Sequence, residues 1–294
     1  MRVLVTGALG MLGHDVARAG ERAGHELILV DLPELDITDE AAVAALLGEL
    51  DARSGGLDGV VNCAAWTDVD GAEEKAGAAR AVNADGAGVL ARGAAAAGVP
   101  LVHVSTDYVF DGSAPLDEAG NPRAYLERDQ TGPQSVYGIT KLEGERQVLA
   151  ASRRHAVART AWLYGVDGAN FAATMLRLAE ERDAVQVVTD QVGSPTWAGH
   201  LAPALLGLLE RGVAGVAHLT GGGHVSWNGF AQEIFRQAEI DCRVEPTTSE
   251  QFVRPAPRPA WSALETERDD VLPLPPWQDG LAGYLAARAG MMRA

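Results

Sequence analysis

Tyr137 and Lys141 are the residues whose types and spacing most directly suggest chemistry in this chain. They lie four positions apart in SVYGITK (135–141), and on a helix two such side chains share one face, with Cβ atoms roughly 5–6 Å apart. A phenol has an ordinary pKa of about 10, and a neighbouring ammonium lowers that pKa by favouring the phenolate. The only lysines are Lys75 and Lys141, and every other Lys or Arg position is arginine. The pair therefore predicts a phenol that exchanges a proton beside a compact ammonium.

Three glycines near the N-terminus predict a phosphate-binding turn. Gly7, Gly10 and Gly13 follow a short apolar stretch in VTGALGMLGHDV and precede a helical one. A turn between a buried strand and a helix brings backbone close to a pyrophosphate, which the N–H groups of the helix N-terminus can bind. The GxxGxxG spacing in this context indicates a dinucleotide cofactor, and Met11 and Leu12 are expected to contact it.

Asp31 predicts which nicotinamide cofactor is preferred. It ends the second apolar stretch, 18 residues after Gly13, where a carboxylate can accept hydrogen bonds from the adenosine ribose. The same charge repels a 2′-phosphate, and the two residues after it are not basic. We expect NADH rather than NADPH, while Arg18 or Arg22, on the helix after the glycines, leaves NADPH open.

The elements that must position these residues alternate along the first half of the chain. Short β-branched runs bounded by Gly, Asp or Pro alternate with longer alanine-rich stretches of helical character. The predicted strands are RVLVT (2–6), ELILVD (26–31), GVVNCA (59–64), LVHVST (101–106), HAVART (155–160) and VQVVTD (185–190). Strands of this kind joined by helices predict βαβ units, and hence an α/β fold with a doubly wound parallel sheet of the Rossmann type.

The pattern loosens after the last of these strands. The C-terminal third is richer in Pro and Trp and contains long irregular stretches such as PTTSEQFVRPAPRPAWSALET (246–266). Long ordered loops usually carry function. We predict a cofactor-binding domain mainly in residues 1–162 and a smaller α/β substrate-binding subdomain mainly in residues 163–294, with some segments returning to the first domain.

Composition excludes several classes of function. The 294 residues carry a formal net charge of −16 at pH 7, which disfavours binding to nucleic acid or to an anionic membrane. The N-terminal segment lacks the long apolar run of a signal peptide, and no stretch reads as a membrane span, so we expect a cytoplasmic protein. Cys63, Cys242 and the seven histidines show no metal-ligand spacing, so we expect neither a metal site nor a disulfide.

Together these motifs resemble the extended branch of the short-chain dehydrogenase/reductase superfamily, through the glycine loop, NCAA after the third strand, VSTDYVF after the fourth, and Tyr-x-x-x-Lys. Within that branch the sequence is most similar to the dTDP-4-dehydrorhamnose reductase family, over nearly the whole chain. The segments that carry the resemblance are LDITD (35–39), AAWTDVDGAE (64–73), VHVSTDYVFDG (102–112), SVYGITKLEGE (135–145), RTAWLYG (159–165), NFAATMLRLA (170–179), DQVGSPTWA (190–198) and RPAWSALET (258–266).

The resemblance implies an activity: reduction of the 4-keto group of dTDP-4-dehydro-L-rhamnose to dTDP-L-rhamnose, with NAD(P)H as hydride donor. In that family the tyrosine hydroxyl gives a proton to the carbonyl oxygen while hydride reaches the carbon, which implies Tyr137 as proton donor. Lys141 would lower the pKa of the phenol and bond the nicotinamide ribose. Thr106 would hydrogen-bond the reacting carbonyl, with Ser105 as the neighbouring alternative.

The resemblance also implies contacts with the cofactor and the sugar nucleotide. The cofactor contacts expected from it are Asp36 and Ile37 at the adenine and Ala64, Ala65 and Thr67 along the ribose and nicotinamide side. The substrate contacts expected from it are Thr106, Asp107, Trp162 and Arg258. An indole suits the apolar side of a deoxyhexose, which fits Trp162, and a guanidinium suits a diphosphate, which fits Arg258.

Five further residues in these segments have other interpretations. Ser226, as the N-cap of a predicted helix, and Trp227 after it are interpreted as scaffold, and His103 as packed rather than catalytic. Asn83 either orders a contact near the site or is a satisfied buried amide. Trp261 departs from the family, which usually has a small or amide residue there, and could alter the nucleotide or sugar pocket.

Two other classes of function stay open. Another nucleotide-sugar 4-ketoreductase, epimerase or dehydratase would use the same fold, although dehydratases commonly carry an acidic pair beside the catalytic Thr, and here Asp107 is the one acid after Thr106. A non-catalytic nucleotide-binding subunit, like the regulatory partner of methionine adenosyltransferase, would not need Tyr137, Lys141 and Thr106 together. The oligomeric state is left open, a homodimer included, and so is a divalent metal that joins subunits.

Overall fold

Strands and helices alternate along the computed structural model, which describes residues 1–52 and 56–291. The strands are β1 (Arg2–Thr6), β2 (Glu26–Val30), β3 (Gly59–Asn62), β4 (Leu101–Thr106), β5 (Ala156–Thr160), β6 (Leu163–Tyr164), β7 (Ala184–Val188), β8 (Val192–Gly193), β9 (Thr196–Trp197), β10 (Gly215–His218), β11 (Val225–Ser226), β12 (Arg243–Thr247) and β13 (Trp261–Ser262). The helices are α1 (Met11–Arg22), α2 (Glu40–Ala52), α3 (Val69–Glu74), α4 (Ala76–Arg80), α5 (Ala87–Ala96), α6 (Val136–Ala151), α7 (Phe171–Glu181), α8 (Ala198–Arg211), α9 (Trp227–Gln237) and α10 (Trp277–Met291). A π-helical turn (Ala81–Gly86) joins α4 to α5, and 3₁₀ turns occupy Asp107–Val109 and Ser249–Gln251. Among these described helices, none is long and apolar enough to cross a membrane.

The largest sheet of the described residues has six strands, ordered β10-β5-β4-β3-β1-β2, and every neighbouring pair is parallel. From β1 the chain first adds β2 on one side and then places β3, β4 and β5 on the other. The direction of winding therefore reverses between β1 and β3. In open parallel sheets, ligands bind beyond the carboxyl ends of the strands at such a reversal.

Both faces of this sheet are covered by helices. Val3 and Val5 of β1 belong to a core that they share with Leu205 of α8, whereas Leu4 belongs to a second core with Leu90 of α5. Successive residues of a strand point to opposite faces, so the unbroken apolar run of β1 serves both cores. The predicted doubly wound α/β fold is confirmed.

Two strands differ from the predicted pattern in their placement. The predicted strand VQVVTD forms β7, which pairs with β12 in a separate two-stranded sheet. The edge of the large sheet beside β5 is instead completed by β10, a four-residue strand that the sequence did not predict. Local apolar patterning identifies a buried strand but carries no information on which strand it pairs with.

A third core lies in the C-terminal part of the chain. It is built from α7, α9 and α10 packed on β7, with Phe230, Ile234, Leu281 and Tyr284 fully buried or nearly so. The boundary after residue 162 stays a prediction, and the two predicted segments also contain residues 53–55 and 292–294, which lie outside the described residues.

Candidate active site

A cleft of about 920 Å³ lies beyond the carboxyl ends of β1, β3 and β4. This volume is typical of a site for a cofactor or a substrate. Every residue that the sequence analysis assigned to cofactor, substrate or catalysis lines this cleft. They are Gly7, Gly10, Met11, Leu12, Gly13, Asp31, Asp36, Ile37, Ala64, Ala65, Thr67, Thr106, Asp107, Tyr137, Lys141, Trp162 and Arg258. Their individual roles stay predictions.

Gly7, Gly10 and Gly13 form a backbone cradle whose open space Cβ atoms at these positions would fill. Gly7 has a φ of +70°, and a Cβ there would lie 2.5 Å from the backbone nitrogen of Ala64. A Cβ on Gly13 would lie 2.3 Å from the carbonyl oxygen of Gly7, so this glycine permits α1 to pack closely on the loop. A Cβ on Gly10 would meet only that same carbonyl, at 3.3 Å, and otherwise occupy the cleft. Together these positions leave backbone exposed at a helix N-terminus, which suits a pyrophosphate.

Asp31 ties the end of β2 to this cradle. Its Oδ2 accepts a hydrogen bond from the N–H of Leu9 at 2.8 Å, and its Oδ1 accepts one from the N–H of Leu32 at 2.8 Å. Arg18, which the sequence left open as a phosphate ligand, donates instead to Asp15 (2.9 Å) and Asp167 (2.6 Å). Neither Arg18 nor Arg22 lines the cleft. The cleft wall around Asp31 thus presents a carboxylate without a basic neighbour among its lining residues.

Tyr137 is the second residue of α6 and lies in its first turn. The N-cap of this helix is Ser135, whose hydroxyl accepts from the N–H of Gly138 at 3.1 Å. The surrounding protein desolvates the phenol and raises its pKa to about 12, although a hydrogen bond with Thr106 acts in the opposite direction. The sequence predicted a lowered pKa from Lys141, so the direction is wrong for this structure. The reason is that the free-energy cost of removing a phenolate from water exceeds the stabilisation that the polar contacts around Tyr137 give it.

Lys141 is 2% exposed, and its described contacts point to the sheet. Its Nζ donates to the carbonyl oxygen of Val104 at 2.7 Å and lies 3.2 Å from Nε2 of His103. Burial lowers the pKa of this lysine to about 8, because desolvation penalises the ammonium. His103, interpreted as a packed residue, is fully buried and also contacts the predicted catalytic lysine.

Thr106 and Asp107 form the turn at the end of β4. The Thr106 hydroxyl accepts from the N–H of Tyr108 at 3.2 Å and donates to Oδ1 of Asp107 at 2.9 Å. Burial raises the pKa of Asp107 to about 6. The alternative, Ser105, donates to Glu145 at 2.6 Å within a buried ion-pair network. Both hydroxyls therefore donate to a neighbouring carboxylate, and the assignment of Thr106 rather than Ser105 to the reacting carbonyl stays a prediction.

Two tryptophans face each other at one wall of the cleft. The rings of Trp162 and Trp227 are stacked, with centroids 3.4 Å apart and an interplanar angle of 2°. Trp162 has a φ of +46°, an unusual backbone conformation for a bulky residue. Ser226 caps α9 as predicted, but the interpretation of Trp227 as scaffold was incomplete, because its side chain also lines the cleft. The two are 65 residues apart, and local patterning does not indicate such contacts.

Arg258 reaches the cleft from the irregular C-terminal segment and forms an ion pair with Asp70 of α3. Its Nη2 donates to Oδ2 of Asp70 at 2.9 Å, and Arg254 approaches the same oxygen at 3.5 Å. The N–H of Ala256 donates to the other oxygen at 3.1 Å. Asp70 therefore ties α3 to the irregular C-terminal segment, a role that the sequence analysis did not identify.

Trp261, which departs from the family, packs beside the cleft, and its expected effect on the nucleotide or sugar pocket stays a prediction. It is not among the lining residues, and its indole N–H donates to the carbonyl oxygen of Arg123 at 2.9 Å. Its ring packs near His224, with centroids 5.0 Å apart. The bulk of this side chain is accommodated beside the cleft.

Asn83 is a satisfied buried amide and also braces the site. It lies in the π-helical turn, accepts from the N–H of Trp66 at 2.8 Å, and donates to the carbonyl oxygen of Trp66 at 3.1 Å and to Thr140 at 3.2 Å. It thereby fixes the loop after β3 to the helix that carries Tyr137 and Lys141. Within residues 1–52 and 56–291, no group of three or more His, Cys, Asp or Glu could hold a metal ion.

Comparison with known proteins gives matches over almost the whole length. The family model described as the RmlD substrate binding domain matches residues 1–289. A dTDP-4-dehydrorhamnose reductase of Mycobacterium tuberculosis is 46% identical, covering 98% of this chain and 93% of the relative. A probable dTDP-4,6-dihydroxy-2-methyloxan-3-one 4-ketoreductase of Streptomyces antibioticus is 42% identical, covering 96% and 93%. The crystal structure of a dTDP-4-dehydrorhamnose reductase of Bacillus anthracis in complex with NADP is 34% identical, with a TM-score of 0.90 and coverage of 97% and 99%.

Proposed function

The chain belongs to the family of the RmlD substrate binding domain, and from this premise we propose that it is an NAD(P)H-dependent oxidoreductase that reduces the 4-keto group of dTDP-4-dehydro-L-rhamnose. The product would be dTDP-L-rhamnose. The relatives from M. tuberculosis and B. anthracis are named dTDP-4-dehydrorhamnose reductases, which supports this sugar nucleotide as the substrate. The observation that carries the proposal is that Tyr137, Lys141 and Thr106 line the same cleft as the glycine cradle. A non-catalytic subunit has no need of that combination.

Tyr137 is proposed as the proton donor. With a pKa of about 12, its phenol keeps its proton at neutral pH and can release it when a carbonyl oxygen gains negative charge. The O–H bond of Tyr137 breaks, a new O–H bond forms on the sugar, and a phenolate remains. A reduced nicotinamide cofactor bound along the cradle would supply the hydride to the carbonyl carbon.

Thr106 and the tryptophan pair are proposed to orient the sugar. The Thr106 hydroxyl, which donates to Asp107 at the end of β4, would turn its single proton to the reacting carbonyl, the contact that the family resemblance assigns to it. Positioned donors of this type stabilise the oxyanion as charge develops. The indoles of Trp162 and Trp227 give the same cleft a broad apolar wall suited to the C–H side of a deoxyhexose.

The test of this function is cofactor oxidation by the purified protein with dTDP-4-dehydro-L-rhamnose, followed by the absorbance of the reduced nicotinamide and identification of the product by mass spectrometry. Formation of dTDP-L-rhamnose supports the proposal. Oxidation only with other 4-keto sugar nucleotides would assign the chain to another reductase, a candidate favoured by the S. antibioticus relative. Cofactor binding without any oxidation would contradict catalysis and favour a regulatory role.

NADH is proposed as the preferred cofactor, and Asp31→Asn tests it. We expect the ratio of kcat/KM for NADPH to that for NADH to rise by about tenfold or more, since two charges about 4 Å apart repel by roughly 1–4 kcal/mol near a protein surface. The ratio is its own control, because loss of the Leu9 contact would weaken both cofactors alike. A wild-type preference for NADPH would contradict the proposal. The B. anthracis relative was solved with NADP, so both cofactors must be measured with the wild-type protein.

Arg258 is proposed to bind the diphosphate of the substrate, which would replace Asp70 as the anionic partner of its guanidinium. Asp70→Asn removes the charge that holds Arg258 and Arg254 but keeps an oxygen for the N–H of Ala256. We expect the Kd for dTDP to fall several-fold in calorimetry, because the two guanidinium groups lose a competing anion.

The matched control is Asp190→Asn, because Asp190 anchors the same C-terminal segment through Ser249 at 2.9 Å and does not touch Arg258. We expect this variant to leave the Kd unchanged or raise it. Equal tightening in both variants would show that loosening of the segment, and not the charge of Asp70, controls affinity.

A further inference from the structure

Glu73 on α3 holds the first residue of α6, the helix that carries Tyr137 and Lys141. Its Oε1 accepts a hydrogen bond from the N–H of Val136 at 2.9 Å, and Val136 is the residue at which α6 begins. Glu73 and Val136 are 63 positions apart in the chain, so this bond joins two separate elements. Because Tyr137 follows Val136 directly, a contact that fixes Val136 also fixes the backbone of Tyr137.

The bond answers a requirement of the helix end. The first four N–H groups of a helix have no partner within it, and their partial positive charge favours a carboxylate. In α6 the N-cap Ser135 accepts from the N–H of Gly138 at 3.1 Å, whereas the N–H of Val136 donates to a group outside the helix. That group is the carboxylate of Glu73, and a hydrogen bond to an ionised acceptor is stronger than one between neutral groups.

Helix α3 is itself held in place, so Glu73 extends from a fixed base. The N-cap of α3 is Asp68, which accepts from a backbone N–H of the same helix at 2.9 Å. One turn before Glu73, Asp70 accepts from Arg258 at 2.9 Å and from the N–H of Ala256 at 3.1 Å. An acceptor on a loosely held helix would not fix the start of α6, whereas an acceptor on this helix does.

The first turn of α6 also packs against the turn that follows Thr106. A Cβ on Gly138 would collide with the carbonyl oxygen of Tyr108, so the backbones of the two turns are in close contact. The ring of Tyr108 meets the ring of Tyr137 edge to face, with centroids 5.4 Å apart. The first turn of α6 therefore lies between α3 and the turn after β4, and the distance from Tyr137 to Thr106 depends on both contacts.

We propose that Glu73 is a positioning residue for the proton transfer: by accepting from the N–H of Val136 it holds the first turn of α6 and fixes the phenol of Tyr137 beside Thr106. Glu73 is not among the residues that line the cleft, so it acts through α6 and not by touching a ligand. The role rests on the proposed function, in which Tyr137 gives the proton. It requires an acceptor at the reach of a glutamate side chain.

Loss of this contact is expected to lower kcat and to leave KM for the keto sugar nearly unchanged. The predicted sugar contacts, Thr106, Trp162 and Arg258, come from elements other than α6. Proton transfer requires the donor within hydrogen-bond distance, and a misplacement of about 1 Å costs roughly 10²-fold in rate. For Glu73→Ala we therefore expect kcat to fall by about 10–100-fold and KM to change by less than about threefold.

Two further variants separate the reach of the side chain from its charge. Glu73→Gln keeps an oxygen acceptor at the same reach without the charge, and Glu73→Asp keeps the charge on a shorter side chain. We expect Glu73→Gln to retain kcat within about threefold of the wild type, and Glu73→Asp to lose activity as Glu73→Ala does. The matched control is Glu74→Ala, because Glu74 is the next residue of α3 and is exposed, and it should keep the wild-type kcat.

Tyrosine NMR tests the same contact without sugar or cofactor. The chain has five tyrosines, and in protein labelled with ¹³C at tyrosine Cζ the resonance of Tyr137 is assigned by its loss in Tyr137→Phe. In Glu73→Ala and Glu73→Asp we expect this resonance to shift or broaden, while those of Tyr164 and Tyr284, in the third core, stay in place. Glu73→Gln and Glu74→Ala should give the wild-type spectrum. Glu73→Asp serves alone if Glu73→Ala does not fold.

Three results would overturn the proposal: a Tyr137 resonance that does not change in the folded Glu73→Ala or Glu73→Asp variant, a loss of kcat in Glu73→Gln equal to that in Glu73→Ala, or a shift of all five tyrosine resonances together. The last result would show that Glu73 supports the fold as a whole. If the wild type reduces no keto sugar, the proposed function fails, and the spectra still decide whether Glu73 places the phenol. An active wild type with unchanged spectra would mean the reverse.

Discussion

Tyr137→Phe is expected to lower kcat for keto-sugar reduction by roughly 10²–10⁴-fold, the range typical of losing a positioned proton donor. The substitution removes one oxygen from a side chain that lines the cleft between the glycine cradle and Thr106. It leaves the ring and its edge-to-face contact with Tyr108, at a centroid distance of 5.4 Å. Initial rates with saturating NADH measure the effect, and cofactor binding should be retained.

The control for this variant is Tyr108→Phe, which removes a second phenol oxygen from the same cleft. We expect it to reduce kcat by less than tenfold, since Tyr108 is not assigned the proton transfer. If both variants lose activity equally, the loss reflects packing of the aromatic pair. If Tyr137→Phe keeps the wild-type kcat, another group donates the proton.

Glu145→Ala is expected to destabilise the fold by about 3–5 kcal/mol, the cost typical of leaving one partner of a buried ion pair alone. The side chains of Glu145 and Arg159 are 3% and 5% exposed. The glutamate accepts from Arg159 twice and from Ser105 at 2.6 Å, so its loss strands a guanidinium and a hydroxyl between β4, β5 and α6. Urea unfolding followed by circular dichroism measures the change.

An exposed ion pair serves as the control for the destabilisation expected of Glu145→Ala. Arg177 and Glu181 are bonded at 2.8 Å on α7 with side chains more than half exposed, and Glu181→Ala should cost only about 0.3–0.5 kcal/mol. A similar cost at Glu145 would mean that solvent or rearrangement satisfies Arg159. The buried pair would then contribute little to holding β4 and β5 in register.

Strands that are buried on both faces were the most predictable part of the fold. The predicted spans 2–6 and 101–106 coincide with β1 and β4, and the spans for β2, β3 and β5 differ by one or two residues. Such strands are unbroken apolar runs between turn residues, so their limits are visible locally. The strand β10 was missed because four residues in a Gly- and Ala-rich segment carry little periodicity.

The site was predictable where chemistry depends on residue type and local spacing, as at the glycine loop and at Tyr137 and Lys141. It was not predictable where the answer depends on tertiary contact. Asp70 and Arg258 are 188 residues apart, and their pairing leaves no local trace. The predicted direction of the pKa shift of Tyr137 was wrong for the same reason. Desolvation dominates that shift, and desolvation is a property of the assembled cleft.

Helix α8 and strand β10 give the order of synthesis a role in when the cofactor cradle can form. The glycine loop is synthesised before α8, but the face of β1 beneath it is covered by Leu201 and Leu205 of α8. The edge strand β10 ends at residue 218 of 294. A nascent chain therefore carries this apolar face of β1 uncovered until the residues of α8 have been synthesised. The cradle for a dinucleotide therefore reaches its packed form only after a segment nearly two hundred positions further along the chain has been added.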